Sequence, residues 1–266
     1  MSERPRVVLV QNSEGSGPGR LPEWLAEEGI DAVVVAGPDL PERSGHPSAE
    51  ALPSAVRPPV ARSSTRMELP SGVAVDGLVL LGGGFMPDDD ERHPFLPHER
   101  SLVGEAIEAG VPLLGICLGA QVLAHVAGGA VTAKSGETER GSCPIELLPA
   151  AADDPLFIGL TDHEELRMIQ NHEDSITTLP PGAVHLGTSP ACRVQAFRVG
   201  TAAWGVQFHP EAAPTKIADW NEAKLAAEGL DRAALQSRAE ADAPLTTGQA
   251  RALVGAFADI VRGARR

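Results

Sequence analysis

Short apolar runs alternate with longer amphipathic ones over the first half of the chain. Residues 6–10 and 30–36 are β-branched runs that predict strands, and residues 21–28 between them read as a helix. Residues 77–81 predict a buried strand, 97–109 a helix stopped by Gly110, and 111–116 the next strand. This rhythm predicts an α/β fold, a mostly parallel central sheet flanked by helices. Residues 37–70 interrupt it with seven prolines and several serines, and read as a long surface loop. After Glu211 the pattern becomes helical and rich in Ala, Glu and Arg. In the last helix Ala250, Leu253, Val254, Phe257 and Val261 share one face, and Thr246-Thr-Gly-Gln249 offers a capping box at its start. The expected organisation is one sheet domain over residues 1–211, carrying the Pro-rich loop, with a helical extension over 212–266 packed on it.

Composition narrows the function. The chain has 266 residues, with Lys+Arg 22 against Asp+Glu 36, a net charge of −14. Such a surface repels phosphate backbones and anionic membranes, so neither nucleic acid nor membrane is expected as a partner. No apolar stretch approaches the ~18 residues of a membrane span. The apolar run at 7–10 is too short for an export signal. The three cysteines, Cys117, Cys143 and Cys192, form no CxxC pair and suit neither a disulfide framework nor a zinc cage, so a reducing cytoplasm is the expected location. Gly15-Ser-Gly-Pro-Gly19 lacks GxGxxG spacing, and no GK[ST] follows Gly82-Gly-Gly84, so no nucleotide cofactor is expected.

The chemistry concentrates in two segments. In Gly115-Ile-Cys-Leu-Gly119 an apolar strand meets a helical pattern at Cys117, on a tight corner where flanking glycines remove bulk. A thiol there sits at a helix N-terminus, which favours thiolate, and the N–H of Leu118 is free to donate to an oxyanion. A thiol nucleophile needs a base, and Trp204-Gly-Val-Gln-Phe-His-Pro-Glu211 supplies one: a strand ending in His209, with Glu211 two residues on. If the chain stays extended through Pro210, both side chains share a face and the carboxylate fixes the imidazole tautomer. A metal set of His172, Asp174, His209 and Glu211 has no familiar ligand spacing, and no metal is expected. Cys143 and Cys192 read as packing residues.

Gly115-Ile-Cys-Leu-Gly-Ala-Gln121 and Phe208-His-Pro-Glu211, 92 residues apart from Cys117 to His209, resemble the two signatures of class I, triad-type glutamine amidotransferases, nearest their standalone GMP-synthase-like branch. The resemblance runs from about residue 5 to 211. The helical tail is similar, more weakly, to an extension in related bacterial proteins. It implies a flavodoxin-like sheet and a Cys117–His209–Glu211 triad that cleaves the side-chain amide of glutamine through a γ-glutamyl thioester. It also implies an oxyanion hole from the N–H groups of Gly83 and Leu118. Gln121, His172 and Asp174 would hold substrate, the last two within Asn171-His-Glu-Asp174, which departs from the family's Ser-His-Gly-Asp at two positions. Gly82-Gly-Gly-Phe-Met-Pro87 likewise departs from the usual Gly-Gly-Pro-x-Ser. Nothing resembles an ATP-binding synthetase, so ammonia would pass to a separate acceptor or synthetase subunit. Two alternatives stand beside this: a standalone hydrolase of other γ-glutamyl conjugates, and a non-catalytic regulatory relative.

Overall fold

A computed structural model describes residues 3–40, 67–69 and 72–264. Most of the expected loop over 37–70 lies outside the described residues. Among the described residues the central sheet has nine strands. Five are parallel, in the spatial order β2 (Asp31–Ala36), β1 (Arg6–Gln11), β3 (Gly77–Leu80), β4 (Leu113–Ile116) and β11 (Ala203–Val206). This is the expected flavodoxin-like order, which gathers the carboxyl ends of all five strands on one edge.

The period-two alternation of these strands divides the core. Val7 and Leu9 face one side, with Leu21, Trp24 and Leu25 of α1 (Leu21–Glu27) and Leu253, Val254 and Phe257 of α6 (Ala243–Ala264). Val8 and Val10 face the other, with Leu96 and Leu102 of α2 (Leu96–Ala109) and Leu118 and Leu123 of α3 (Leu118–Val126). The α2 helix stops where Gly110 turns left-handed, at φ 66°.

The hydrophobic pattern does not announce the second half of the sheet. Four antiparallel strands, β10 (Ala196–Val199), β9 (Val184–Thr188), β6 (Glu139–Leu147) and β7 (Leu166–His172), continue outward from β11. Their alternation is masked because they bury polar side chains. Glu139, Arg140, Ser142, Gln170 and His172 are all inside, as is Gln195 beside them. A two-stranded ribbon, β5 (Ala130–Thr132) with β8 (Ser175–Thr178), lies apart.

The last helix also differs from its expected start. It begins at Ala243, so Thr246 lies inside it, its N–H donating to the Asp242 carbonyl at 2.9 Å. Gln249 therefore caps nothing. Its Oε1 accepts the Arg167 N–H at 3.0 Å and its Nε2 donates to the Glu165 carbonyl at 2.6 Å, docking α6 on the start of β7. The buried apolar stripe is the one expected. Two short helices precede it, α4 (Glu222–Ala227) and α5 (Arg232–Ala241), capped by the side chains of Asn221 and Asp231.

A buried carboxyl sits under the carboxyl edge. Glu99 of α2 is fully buried and accepts a 3.1 Å hydrogen bond from Asn12, which also donates to the Leu81 carbonyl at 3.0 Å. Burial raises its pKa from 4.5 to about 7, against the smaller pull of Asn12 and Arg100. The folded chain thus keeps a proton that the unfolded chain releases. Stability from this group is intact below about pH 4.5 and falls by roughly 3 kcal/mol as pH rises to about 7. Glu99→Gln, neutral at every pH, is expected to remove that decline. Thermal melts of both proteins at pH 5 and pH 8 measure it, and parallel pH dependence in the two would refute the assignment.

Candidate active site

At the end of β4 the chain turns straight into α3, and Cys117 is the pivot, with φ 53° and ψ −108°. A non-glycine residue here is strained, and the surrounding packing holds it. A Cβ on Gly115 would lie 2.5 Å from the Gly119 carbonyl oxygen, and one on Gly119 would overlap the Leu80 carbonyl. Only glycines let α3 press this closely on β3 and β4. The Cys117 N–H donates to the Val206 carbonyl at 2.8 Å, fixing the corner to the next strand.

His209 and Glu211 arrive differently from the extended geometry expected for them. The β11 strand ends at Val206, and His209 forms an isolated bridge to Ile169 of β7, its N–H donating to that carbonyl at 2.8 Å. The chain then turns, with the Ala212 N–H on the His209 carbonyl at 3.3 Å. Pro210 occupies the second position of this turn, where its fixed φ suits, and that is why extension is lost. The turn brings Nδ1 of His209 to 2.6 Å from Glu211 Oε1. Nε2 is left buried without an aligned hydrogen bond among the described residues. Burial by itself would push the imidazole pKa down. The Glu211 carboxylate and the nearby Cys117 sulfur, through charge and hydrogen bonding, override it and hold the pKa well above 6.5. Gly82 runs between the two residues: a Cβ on it would be 3.2 Å from His209 Cε1 and 3.7 Å from Cys117 Cβ.

A cavity of about 200 Å³ opens over the thiol, walled by Gly83, Gln121, His172, Asp174 and His209 among others. Thiol, imidazole and carboxylate in this order can move a proton from sulfur and deliver it to a leaving group.

The sequence matches the glutamine amidotransferase class-I family over residues 51–221. The chain belongs to that family. It is accordingly a cysteine-dependent amidohydrolase of the glutamine amidotransferase type. The glutamine-hydrolyzing GMP synthase subunit of Haloarcula marismortui is 36% identical over 148 residues, 55% of this chain and 70% of that protein. The GMP synthase of Parafrankia is 32% identical over 214 residues, 79% of this chain but 35% of the longer protein, so the chain spans about a third of that synthase. Among solved structures, a glutamine amidotransferase from Thermotoga maritima is similar with TM-score 0.75 and 26% identity, over 97% of this chain and 100% of that one.

Within this amidotransferase the other expected residues lie around the same cavity. Gln121 is buried, its Nε2 donating to the Asp174 carbonyl at 3.2 Å and to Gln207 Oε1 at 3.3 Å. Asp174 uses one carboxylate oxygen on the Lys134 N–H at 2.7 Å. His172 turns Nε2 toward Glu139, 3.4 Å away, and leaves Nδ1 buried without a partner among the described residues. Among the described residues, the ligand atoms of His172, Asp174, His209 and Glu211 do not close into one metal-holding group. Glu139, His172 and Cys192 do lie together, but Gln195, Ser189 and His172 already surround the Glu139 carboxylate.

Five neighbours escape a reading of the sequence. Gln207 donates to Cys117 Sγ at 3.6 Å, and its place two residues before His209 is the available signal. Arg140, Glu173 and Lys224 form an ionic wall to the cavity: Glu173 pairs with Lys224 at 2.8 Å and with Arg140 at 3.6 Å, and Arg140 grips Glu228 through two bonds of 3.0 and 2.8 Å. No local pattern joins residues this far apart. Arg20 sits behind the turn, donating to the carbonyls of Ala212 at 2.7 Å and Pro210 at 3.4 Å and to Thr247 of α6 at 3.0 Å.

The other two thiols are held strongly protonated. Burial pushes Cys143 up to about 12, and Cys192 higher still, with Glu139 and Glu137 adding to it. Iodoacetamide at pH 7.5 is therefore expected to alkylate one thiol per native chain, at Cys117, as peptide mass analysis would show. Labelling of Cys143 or Cys192 at a comparable rate would contradict this.

Proposed function

We propose that Cys117, His209 and Glu211 form the catalytic triad of a glutaminase. The observation that carries the reading is the strained Cys117 corner facing an imidazole whose far nitrogen is tied to Glu211 at 2.6 Å. Sγ attacks the γ-amide carbon, the C–N bond breaks as the C–S bond forms, and His209 passes a proton to the departing nitrogen. Water then hydrolyses the thioester to glutamate and restores the thiol. Leu118 is the first residue of α3, so its N–H has no partner within the helix and with Gly83 supplies the oxyanion site. Gln121, His172 and Asp174 hold the substrate, and the Arg140–Glu173–Lys224 wall offers both signs of charge to its zwitterionic end.

Residues 212–264 act as an extension of the catalytic domain, since α4 sends Lys224 to the cavity wall. The ammonia goes to a separate acceptor. The Haloarcula relative bears the name of a synthase subunit, which supports a partner synthetase.

Purified protein mixed with glutamine is expected to release glutamate, and Cys117→Ala to abolish the release. Activity surviving that change would end the thiol mechanism. Glu211→Gln is expected to lower kcat by about 10²-fold or more. It also removes the carboxylate charge that helps to raise the His209 pKa against burial, so the imidazole titration observed by NMR moves downward.

A further inference from the structure

Among the described residues, two buried oxygens near the glycine loop, Asn12 Oδ1 and Glu99 Oε2, receive no hydrogen bond. They belong to side chains already joined once, Asn12 Nδ2 donating to Glu99 Oε1 at 3.1 Å. The other hydrogen of that nitrogen goes to the Leu81 carbonyl at 3.0 Å. A carbonyl only accepts, so the amide's orientation is fixed and Asn12 has no third hydrogen to offer. A carboxylate cannot supply the missing one. A protonated carboxyl can, from Oε2 to Oδ1, closing an acid–amide pair of two bonds in which neither oxygen is left over. We propose that Asn12 and Glu99, joined by that proton, position the peptide that stabilises the oxyanion during amide cleavage. This rests on the catalytic reading of Cys117 and Gly83.

The mechanical link is short. Leu81 donates its N–H to the Val10 carbonyl at 2.9 Å and gives its own carbonyl to Asn12, so the chain leaves β3 clamped on both sides of this residue. The next peptide carries the Gly83 N–H, and only the torsions of Gly82, a glycine and therefore permissive, separate it from the clamp. Gly82 also lies against both reacting side chains, as the short approaches of its Cβ position to His209 and Cys117 show. Ionised Glu99 turns Oε2 and Asn12 Oδ1 into two acceptors with no hydrogen between them. The amide then swings, the Leu81 carbonyl loses its fixed donor, and the Gly83 N–H loses its aim. Burial brings this change into the neutral range by raising the Glu99 pKa to about 7, opposed only by Asn12 and Arg100. Arg100 is itself held by Asp90 at 2.7 and 2.8 Å. Of the packed elements, β3 carries no titratable side chain, β1 has Arg6 at its opposite end, β4 leads to Cys117, and α3 brings His125, which burial keeps below 6.5. In the segment before α2, Asp89 holds Arg92 and His93 stacks on Phe85 at 3.6 Å, while Glu14, Asp39 and Glu68 on neighbouring segments are exposed.

The test compares kcat for glutamine hydrolysis by wild type and Glu99→Gln from pH 5.5 to pH 8.5. The introduced amide gives Asn12 Oδ1 a permanent hydrogen. The ratio of variant to wild-type kcat is therefore expected to be about one at pH 5.5 and to rise about fivefold or more by pH 8.5, with KM unchanged. Titration of His209 is common to both proteins and cancels in the ratio. Asn12→Ala is expected to lower kcat about tenfold or more at every pH, while iodoacetamide alkylates Cys117 within about twofold of the wild-type rate, since that displacement forms no oxyanion. A ratio that stays flat with pH, a kcat for Asn12→Ala equal to that of wild type, or alkylation slowed as much as hydrolysis overturns the positioning role and leaves the triad standing. If circular dichroism shows Asn12→Ala unfolded, the Glu99→Gln ratio decides alone. Wild type that releases no glutamate overturns the catalytic reading, and this inference with it.

Discussion

The whole arrangement depends on how closely α3 can approach the sheet. Gly119 lies against the Leu80 carbonyl and Gly115 against the Gly119 backbone, and this contact forces Cys117 to a positive φ. Give either glycine a side chain and the helix must retreat, and the sulfur retreats with it. The strain at Cys117, of order 1–3 kcal/mol, is balanced by the apolar faces of α3 and of its neighbour strands, which are buried throughout.

A parallel sheet supplies the rest through its topology. The segments after β1, β3, β4 and β11 all leave at one edge, so residues 16, 83, 117 and 209 meet although they are far apart in the chain. The antiparallel half places the imbalance of buried polar groups nearby. Glu139, Ser189 and Gln195 form a hydrogen-bonded block behind His172, and Asp154 ties the neighbouring strands by accepting from the Trp204 indole at 2.9 Å and Arg198 at 2.7 Å. Such blocks order the wall of a cavity more than they stabilise the chain, because burying charge offsets most of what pairing returns.

Local features were legible in the sequence. The Gly-x-Cys-x-Gly corner is five residues long, and the apolar strands before it announce themselves by composition. The pairing of His209 with Glu211 was legible as identity but not as shape: two residues apart suggested a strand, whereas Pro210 makes a turn. The antiparallel strands stayed hidden because Gln170, Ser142 and Arg140 stand where alternation demands apolar residues. The ionic wall escaped notice because Lys224 reaches Glu173 across 51 residues, a distance over which no periodicity operates.

Arg20 has a consequence of another kind. One guanidinium grips the backbone on either side of Glu211, stacks 4.5 Å over Trp24 and reaches Thr247. The first loop, the imidazole-bearing turn and the final helix are thus riveted at a single point. Looseness introduced at any one of the three is felt by the other two, so the tail that brings no reacting atom still sets how steadily the ring is aimed.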